Sequence, residues 1–255
     1  MMNSNFYKFL PYIPGVLALI FWQISVDGDQ RREFLFASPV AISQVFIDDF
    51  LSGEILYDIW LTSFETVMGL LIGFVLGTFI GLILWLDERI AYIAKPYIII
   101  LGSIPIFALA PLMIIWFGTG ILSKVIMAAF SVVLVSLIQV YEATQNANKD
   151  HIKIAKSFGA SRLQILKTII IPSTIKWIII GLKINVGFAL IGAFIGEFIS
   201  AERGVGHYII KSGSLYDVPR VLFGIIILSI MGLVLVKIIT IISNRFFKKY
   251  TYNHD

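Results

Sequence analysis

TVMGLLIGFVLGTFIGLILWL, residues 66–86, runs without a charged side chain and repeats glycine every fourth position, at Gly69, Gly73, Gly77 and Gly81. About 20 apolar residues are needed to carry a helix across the hydrocarbon core of a bilayer. This stretch meets that requirement by itself. The four-residue spacing sets the glycines along one helix face, leaving a groove in which another backbone can approach closely. The segment therefore reads as a membrane helix whose glycine face packs inside a bundle or at a subunit contact.

The rest of the chain agrees with a membrane setting. Of its 255 residues 58% are hydrophobic and 14% charged, where soluble domains carry about 25% charged residues; mean hydropathy is +0.90. Further charge-free stretches cover 9–26, 96–123, 125–141, 184–196 and 221–236. With their flanks these predict spans at about 9–26, 60–86, 96–117, 121–141, 177–198 and 221–243. The expected fold is all-α: a six-helix polytopic membrane bundle in one domain over 1–255, with a core of about 57–245.

The charge balance carries topology. The loop 27–59 holds seven acidic residues and two arginines, whereas 142–176 holds six lysines or arginines and two acids. The tail from Asn244 is also basic. Cytoplasmic loops are enriched in Lys and Arg, so the basic loop and both termini are expected in the cytoplasm. The pI near 9.2 follows from those loops and needs no nucleic acid. The N-terminal stretch lacks a small-x-small cleavage pattern and is taken as a retained first helix. A short amphipathic stretch near Ile47 to Leu56 reads as interfacial.

Two features bear on a transport pathway. Pro96, Pro105 and Pro111 interrupt the apolar run 96–117; proline removes a backbone donor and is tolerated in a membrane helix where a neighbour or cavity satisfies the freed carbonyls. A pathway-lining broken helix and a re-entrant segment followed by a bent span both fit. Ionisable residues within spans, Glu65, Lys183 and Glu197, are functional candidates by default. Glu65 stands near the outer start of its span, where it can reach water, and Lys183 and Lys237 can snorkel.

Catalytic signatures are missing. GTGILSK, 118–124, has Ser123 where a P-loop needs its second glycine and Val125 where it needs Ser or Thr. His151, His207 and His254 are isolated, so no metal-binding cluster is expected, and no GxSxG elbow occurs. No catalytic residue is assigned.

The long basic loop carries the remaining signal, IAKSFGASRLQILKTIIIP, residues 154–172. Asp150 is the expected cap of a short helix ending near Phe158, and Gly159 suits the left-handed residue that closes it. Ser161 and Gln164 form an S-x-x-Q capping pattern that starts a second helix. Pro172 is expected to stop that helix and turn the chain into the next span. A basic helix lying on anionic lipid is the bland reading. An internal corner favours a docking elbow for a protein.

At this point the chain resembles the permease subunits of bacterial ABC importers, whose cytoplasmic loop bears an E-A-A-x3-G-x9-I-x-L-P signature. Lys153, Ile154, Ala155, Gly159, Ile169, Ile171 and Pro172 stand at that spacing, with Lys153, Ile154 and Ile171 departing from it. ASPVAI, TSFETVMGLLIGFVLGTFIG, SIPIFALAPLMIIWFGTG, GLKINVGFALIGAFIGEF and RGVGHYI extend the likeness to permeases of nitrate, sulfonate, taurine and thiamine-precursor importers. The chain departs from that subgroup at Glu65, where a basic residue is usual. The resemblance implies a coupling helix in loop 142–176, with Lys153, Ala155, Gly159, Ala160, Ser161, Arg162 and Pro172 forming the contact with an ATPase. It also implies a permease homodimer in the bacterial cytoplasmic membrane, two ATP-binding subunits and an extracytoplasmic substrate-binding protein. ATP and magnesium belong to the partner ATPase, and no cofactor to this chain. The rivals are a stand-alone secondary transporter or channel, for which an inverted repeat is wanting, and a membrane enzyme.

Overall fold

The computed structural model describes residues 12–246, which form helices and connecting turns. Three short helices come first: α1 (Ile13–Val26), α2 (Gln30–Phe36) and α3 (Pro39–Val45). After them come α4 (Glu54–Leu86), α5 (Glu88–Gly102), α6 (Ile106–Phe117) and α7 (Ile121–Gln145). The last group is α8 (Lys149–Ser157), α9 (Arg162–Ile165), α10 (Ile171–Ser200), α11 (Val205–Ser214) and α12 (Val218–Phe246).

Four stretches are long and apolar enough to cross a membrane: Glu54–Leu86, Ile121–Gln145, Arg162–Ser200 and Val218–Arg245. α5 and α6 pass the same test only together, as a pair bent by 91°. The expected first span, 9–26, begins outside the described residues; within them α1 has 14 residues. At 1.5 Å per residue α1 is about 21 Å long, short of the ~30 Å core. The described residues thus hold four straight spans, or five with the bent pair, where six were expected.

The bend falls between Gly102 and Ile106, with Pro105 as the residue that caps α6. Pro96 and Pro111 lie inside α5 and α6. Of the three prolines, then, Pro105 marks the break. The interfacial stretch expected over Ile47–Leu56 is divided in the same manner: a π-helical turn Phe46–Phe50 ends before Gly53, and α4 begins at Glu54.

The glycine face of α4 is used inside this chain, against α7. A methyl group added at Gly73 would collide with the Ala129 carbonyl and approach Val132 Cβ to 2.8 Å; at Gly77 it would meet the Val133 carbonyl and Ser136 Cβ. Residues rising from 69 to 81 meet residues rising from 125 to 140, so α4 and α7 run parallel. α10 runs antiparallel to α7 and also touches α4: Gly192 abuts Ala128 and Met127, Gly196 abuts Lys124, and Glu197 accepts from Thr62. Asn185 Nδ2 of α10 donates to Gln139 Oε1 of α7 at 2.9 Å, a polar tie of the kind that joins membrane helices. Leu70, Phe74, Val132, Val186 and Ala189 fill the centre. α12 leaves Ile226, Ile230, Leu233 and Ile241 exposed, an outer face suited to lipid.

These directions give the bundle two distinct ends. One gathers the starts of α4, α7 and α12, the end of α10 and the acidic segment 27–59. The other gathers the ends of α4 and α7 and the basic segment 149–170.

Candidate functional site

At the basic end, α8 and α9 meet in a tight corner. Asn148, rather than Asp150, caps α8: its side chain accepts from the Asp150 and His151 amides, and Asp150 instead pairs with Lys153 at 3.4 Å on the surface. The helix closes through two bonds, Ala160 N to Ala155 O at 3.0 Å and Gly159 N to Lys156 O at 2.9 Å. That is a Schellman closure, which requires a left-handed residue just past the helix end. Gly159 supplies it with φ +79°. Ser161 and Gln164 then form a reciprocal capping box, Ser161 N donating to Gln164 Oε1 at 2.7 Å and Gln164 N to Ser161 Oγ at 3.3 Å.

Pro172 does not end this second helix. α9 passes through a π-helical turn, Leu166–Ile170, directly into α10, so that Arg162–Ser200 is continuous. A π-turn widens the helix by one residue and lets the chain carry a proline that has no amide to give; Ile171 N donates to Leu166 O. Ser173 and Thr174 hydroxyls both donate to the Ile170 carbonyl.

The elbow is anchored on α4. Arg162 Nη1 donates to Leu86 O at 2.7 Å, and Ile165, Leu166 and Ile170 pack with Leu82, Trp85, Leu86 and Ala155. The tip faces outward: Phe158 is 87% exposed, and Ile154 and Leu163 are exposed beside it. Lys153, Ser161 and Arg162 lie on the surface, while Ala155 and Ala160 are half-buried.

The opposite end holds a buried polar cluster. Glu65, Lys124 and Glu197 are 1%, 2% and 0% exposed; of the two readings open for Glu65, an enclosed residue and one that reaches water, the fold has the enclosed one. Glu197 accepts from Thr62 Oγ1 at 2.6 Å and from Gly206 N at 2.7 Å. Val205 N donates to Thr62 Oγ1 at 2.9 Å, and Gly204 N to Asp58 Oδ1 at 2.8 Å. The first amides of α11, which have no partner within their own helix, are satisfied by three side chains from two other helices. Lys124 donates to the carbonyls of Thr119 and Ser200. Further out, Arg220 bridges Asp49 (2.9 Å) and Asp217 (2.6 Å), and Tyr208 donates to Asp49 at 2.6 Å. Burial acts to raise the pKa of Asp49, but the hydrogen bonds from Arg220 and Tyr208 and the Arg220 charge outweigh it. The carboxyl is held below its ordinary 3.8.

Two cavities open here. A cleft of about 970 Å³ is lined by Asp49, Tyr57, Asp58, His207, Tyr208 and Arg220 among others. A smaller one of about 370 Å³ reaches Glu65, Thr119, Gly120 and Lys124. Glu202 and Arg203 border both. Among the described residues no group of His, Asp or Glu has metal-holding geometry.

Of the candidates read from the sequence, Lys153, Ala155, Gly159, Ala160, Ser161 and Arg162 share the elbow, and Pro172 sits at the start of the span leading from it. Glu65 and Glu197 come together at the acidic end. Lys183 is half-buried on α10, remote from both. Sequence reasoning missed Thr62, Asp58, Lys124, Asn185 and Gln139. Lys124 had a visible signal: it lies three residues inside a span, as Glu197 lies three residues before the end of another, which sets both at the same depth.

Residues 69–250 match the family described as binding-protein-dependent transport system inner membrane component. The chain is 31% identical over 235 residues to the probable ABC transporter permease protein of Haemophilus influenzae, covering 92% of this chain and 94% of that one. It is 28% identical over 233 residues to the formylaminopyrimidine transport permease protein ThiX of Halalkalibacterium halodurans, with 91% and 92% covered. Among solved structures it superposes on the MetNI methionine ABC transporter in an inward-facing conformation with a TM-score of 0.66. That match covers 77% of this chain and 96% of the other at 18% identity, a likeness of fold.

Proposed function

The chain belongs to the binding-protein-dependent transport system inner membrane components, the ABC transporter permeases, and from that premise we propose that it is the permease subunit of an importer driven by partner ATPases. Two copies form the pathway in the bacterial cytoplasmic membrane. The basic end faces the cytoplasm, as the distribution of Lys and Arg favours. A substrate-binding protein delivers solute to the acidic end, and two ATP-binding subunits, holding ATP and magnesium, dock on the elbow. The solute is small and polar: an anion such as a sulfonate, aminosulfonate or nitrate, or a pyrimidine vitamin precursor of the type named for one relative.

The elbow carries this reading. A surface helix held only by lipid has no use for a closed corner, whereas Phe158 and Ile154 offer an apolar contact on a rigid support. Movement of that contact is transmitted, because the elbow continues into a helix, Arg162–Ser200, that traverses the bundle. At about 1.5 Å per residue it is roughly 60 Å long. Its far end holds Glu197 and, through it, the start of α11. An ATPase that shifts Phe158 therefore acts at both ends of the span.

The test uses the tagged full chain purified from its native membrane in mild detergent. Wild type is expected to bring down an ATP-hydrolysing subunit. Phe158→Asp is expected to lose it, and Gly159→Val, which forces a β-branched residue into left-handed backbone at a cost of about 1–2 kcal/mol, to lose it or uncouple it. Both variants should insert in the membrane as wild type does, and Phe158→Asp, at an exposed position, should also unfold thermally as wild type does. Purification without an ATPase, or Phe158→Asp retaining it in full, defeats the proposal.

A further inference from the structure

The two buried carboxyl groups at the acidic end are joined to each other. Glu65 on α4 and Glu197 on α10 are almost fully enclosed and lie in hydrogen-bond contact. The fold forces the meeting: Thr62, one turn before Glu65, donates to Glu197 Oε1. Among the described residues neither carboxyl has a cation within ion-pair distance. Lys124, buried beside them, gives its ammonium protons to the Thr119 and Ser200 carbonyls.

Two carboxylates that touch in a site closed to water cannot both be ionised. With both charged, Glu65 Oε2 would also be buried without any donor. One proton on the pair removes both difficulties, because it cancels one charge and turns a carboxyl oxygen into a donor for the other residue. The remaining charge sits on Glu197, where the Thr62 hydroxyl and the Gly206 amide donate to it.

The start of α11 rests on this contact. Glu197 of α10 holds Gly206 N, while Thr62 and Asp58 of α4 hold Val205 N and Gly204 N. The turn just before, Glu202 and Arg203, borders both cavities. Separating α4 from α10 breaks this set, frees the turn and wets both carboxyls. A wetted glutamate is ionised at neutral pH, so the opened form gives its proton to water.

We propose that one proton shared between Glu65 and Glu197 latches the end of α10 and the start of α11 onto α4, and that opening the latch releases it to solvent. The acidic end is thereby a pH-sensitive closure, and a higher pH favours the open form by mass action on the released proton. The other charged or titratable groups around the pair are Asp58 on α4, Lys124 on α7, Glu202 and Arg203 in the turn and His207 on α11. A histidine titrates close to neutral pH, so His207→Gln is the control.

The test reads hydrogen exchange at Val205 and Gly206 in the purified full chain in nanodiscs, without ATP or solute. Each rate between pH 6 and pH 8 is divided by the intrinsic rate at that pH. Release of one proton raises the opening constant about tenfold per pH unit, so the corrected rate should rise about a hundredfold across the range. Glu65→Gln and Glu197→Gln keep a donor between the two side chains but have no shared proton to release, and should change less than about twofold per unit. His207→Gln should keep the wild-type slope. A wild-type rise below about threefold across the range, a slope kept in either carboxyl variant, or a slope lost in His207→Gln overturns the latch. Should neither carboxyl variant fold, wild type and the histidine control decide. Exchange is read on the resting chain, so this outcome is independent of the permease reading, which stands or falls on the elbow variants.

Discussion

Replacing Gly73 by alanine adds a single methyl group where the neighbouring helix leaves no room for one. An ideal Cβ there would overlap the Ala129 carbonyl, stand 2.8 Å from Val132 Cβ and 3.0 Å from Ala129 Cα. Carbon atoms pack at about 3.5–4.0 Å, so the two helices must separate by close to 1 Å along this contact. The obstacles are backbone atoms and a branched Cβ, which cannot rotate away. Separation at Gly73 also loosens Gly69 and Gly77, which pack on the same helix. Overpacking of this kind costs about 1–3 kcal/mol, and the rigid neighbours put Gly73→Ala at the upper end. Gly187→Ala is the control, since a methyl group at that position in α10 meets nothing within 4 Å. Unfolding of both variants in mixed micelles of a mild and a denaturing detergent gives the difference directly. A Gly73→Ala protein within about 0.5 kcal/mol of wild type, the range of neutral surface substitutions, would refute the close approach of α4 and α7.

Two further outcomes test the acidic end. Glu197→Ala strips Gly206 N of its acceptor at a buried position; an orphaned buried donor costs about 1–3 kcal/mol, so hydrogen exchange at Val205 and Gly206 should accelerate about tenfold or more, and unchanged exchange would show that α11 is held by other contacts. Asp49 is held below its ordinary 3.8, so the stability it contributes is present above pH 3.8 and is lost as pH falls through the lowered value. The gap in thermal midpoint between wild type and Asp49→Asn should accordingly stay constant from neutral pH down to about 4 and close below it, whereas a gap that persists unchanged at pH 2 would mean that Asp49 gains nothing from Arg220 and Tyr208.

Much of the molecule is written in local pattern. The span at 66–86 follows from the absence of charge, since an unpaired charge in hydrocarbon is costly whatever surrounds it. The elbow followed from two backbone requirements that act over a few residues: a left-handed position at Gly159 and a capping box at Ser161 and Gln164. Such signals survive in any tertiary context because their partners are neighbours in the chain.

What the sequence left open depended on distant partners. The four-residue glycine spacing called for a close neighbour, but only the fold showed that this is α7 of the same chain, through Ala129, Val133 and Leu137. Pro172 was read as a stop because its lost amide and ring forbid a regular helix, yet the π-turn before it, with packing on Leu82 and Trp85, carries the helix through. Lys124 and Glu197 share a depth that their places in the spans already indicate, but only the rotation of α4, α7 and α10 turns them and Glu65 inward and buries all three. Convergence of that kind depends on helix direction and rotation, which are set by the summed packing of whole faces and leave no mark within any one segment.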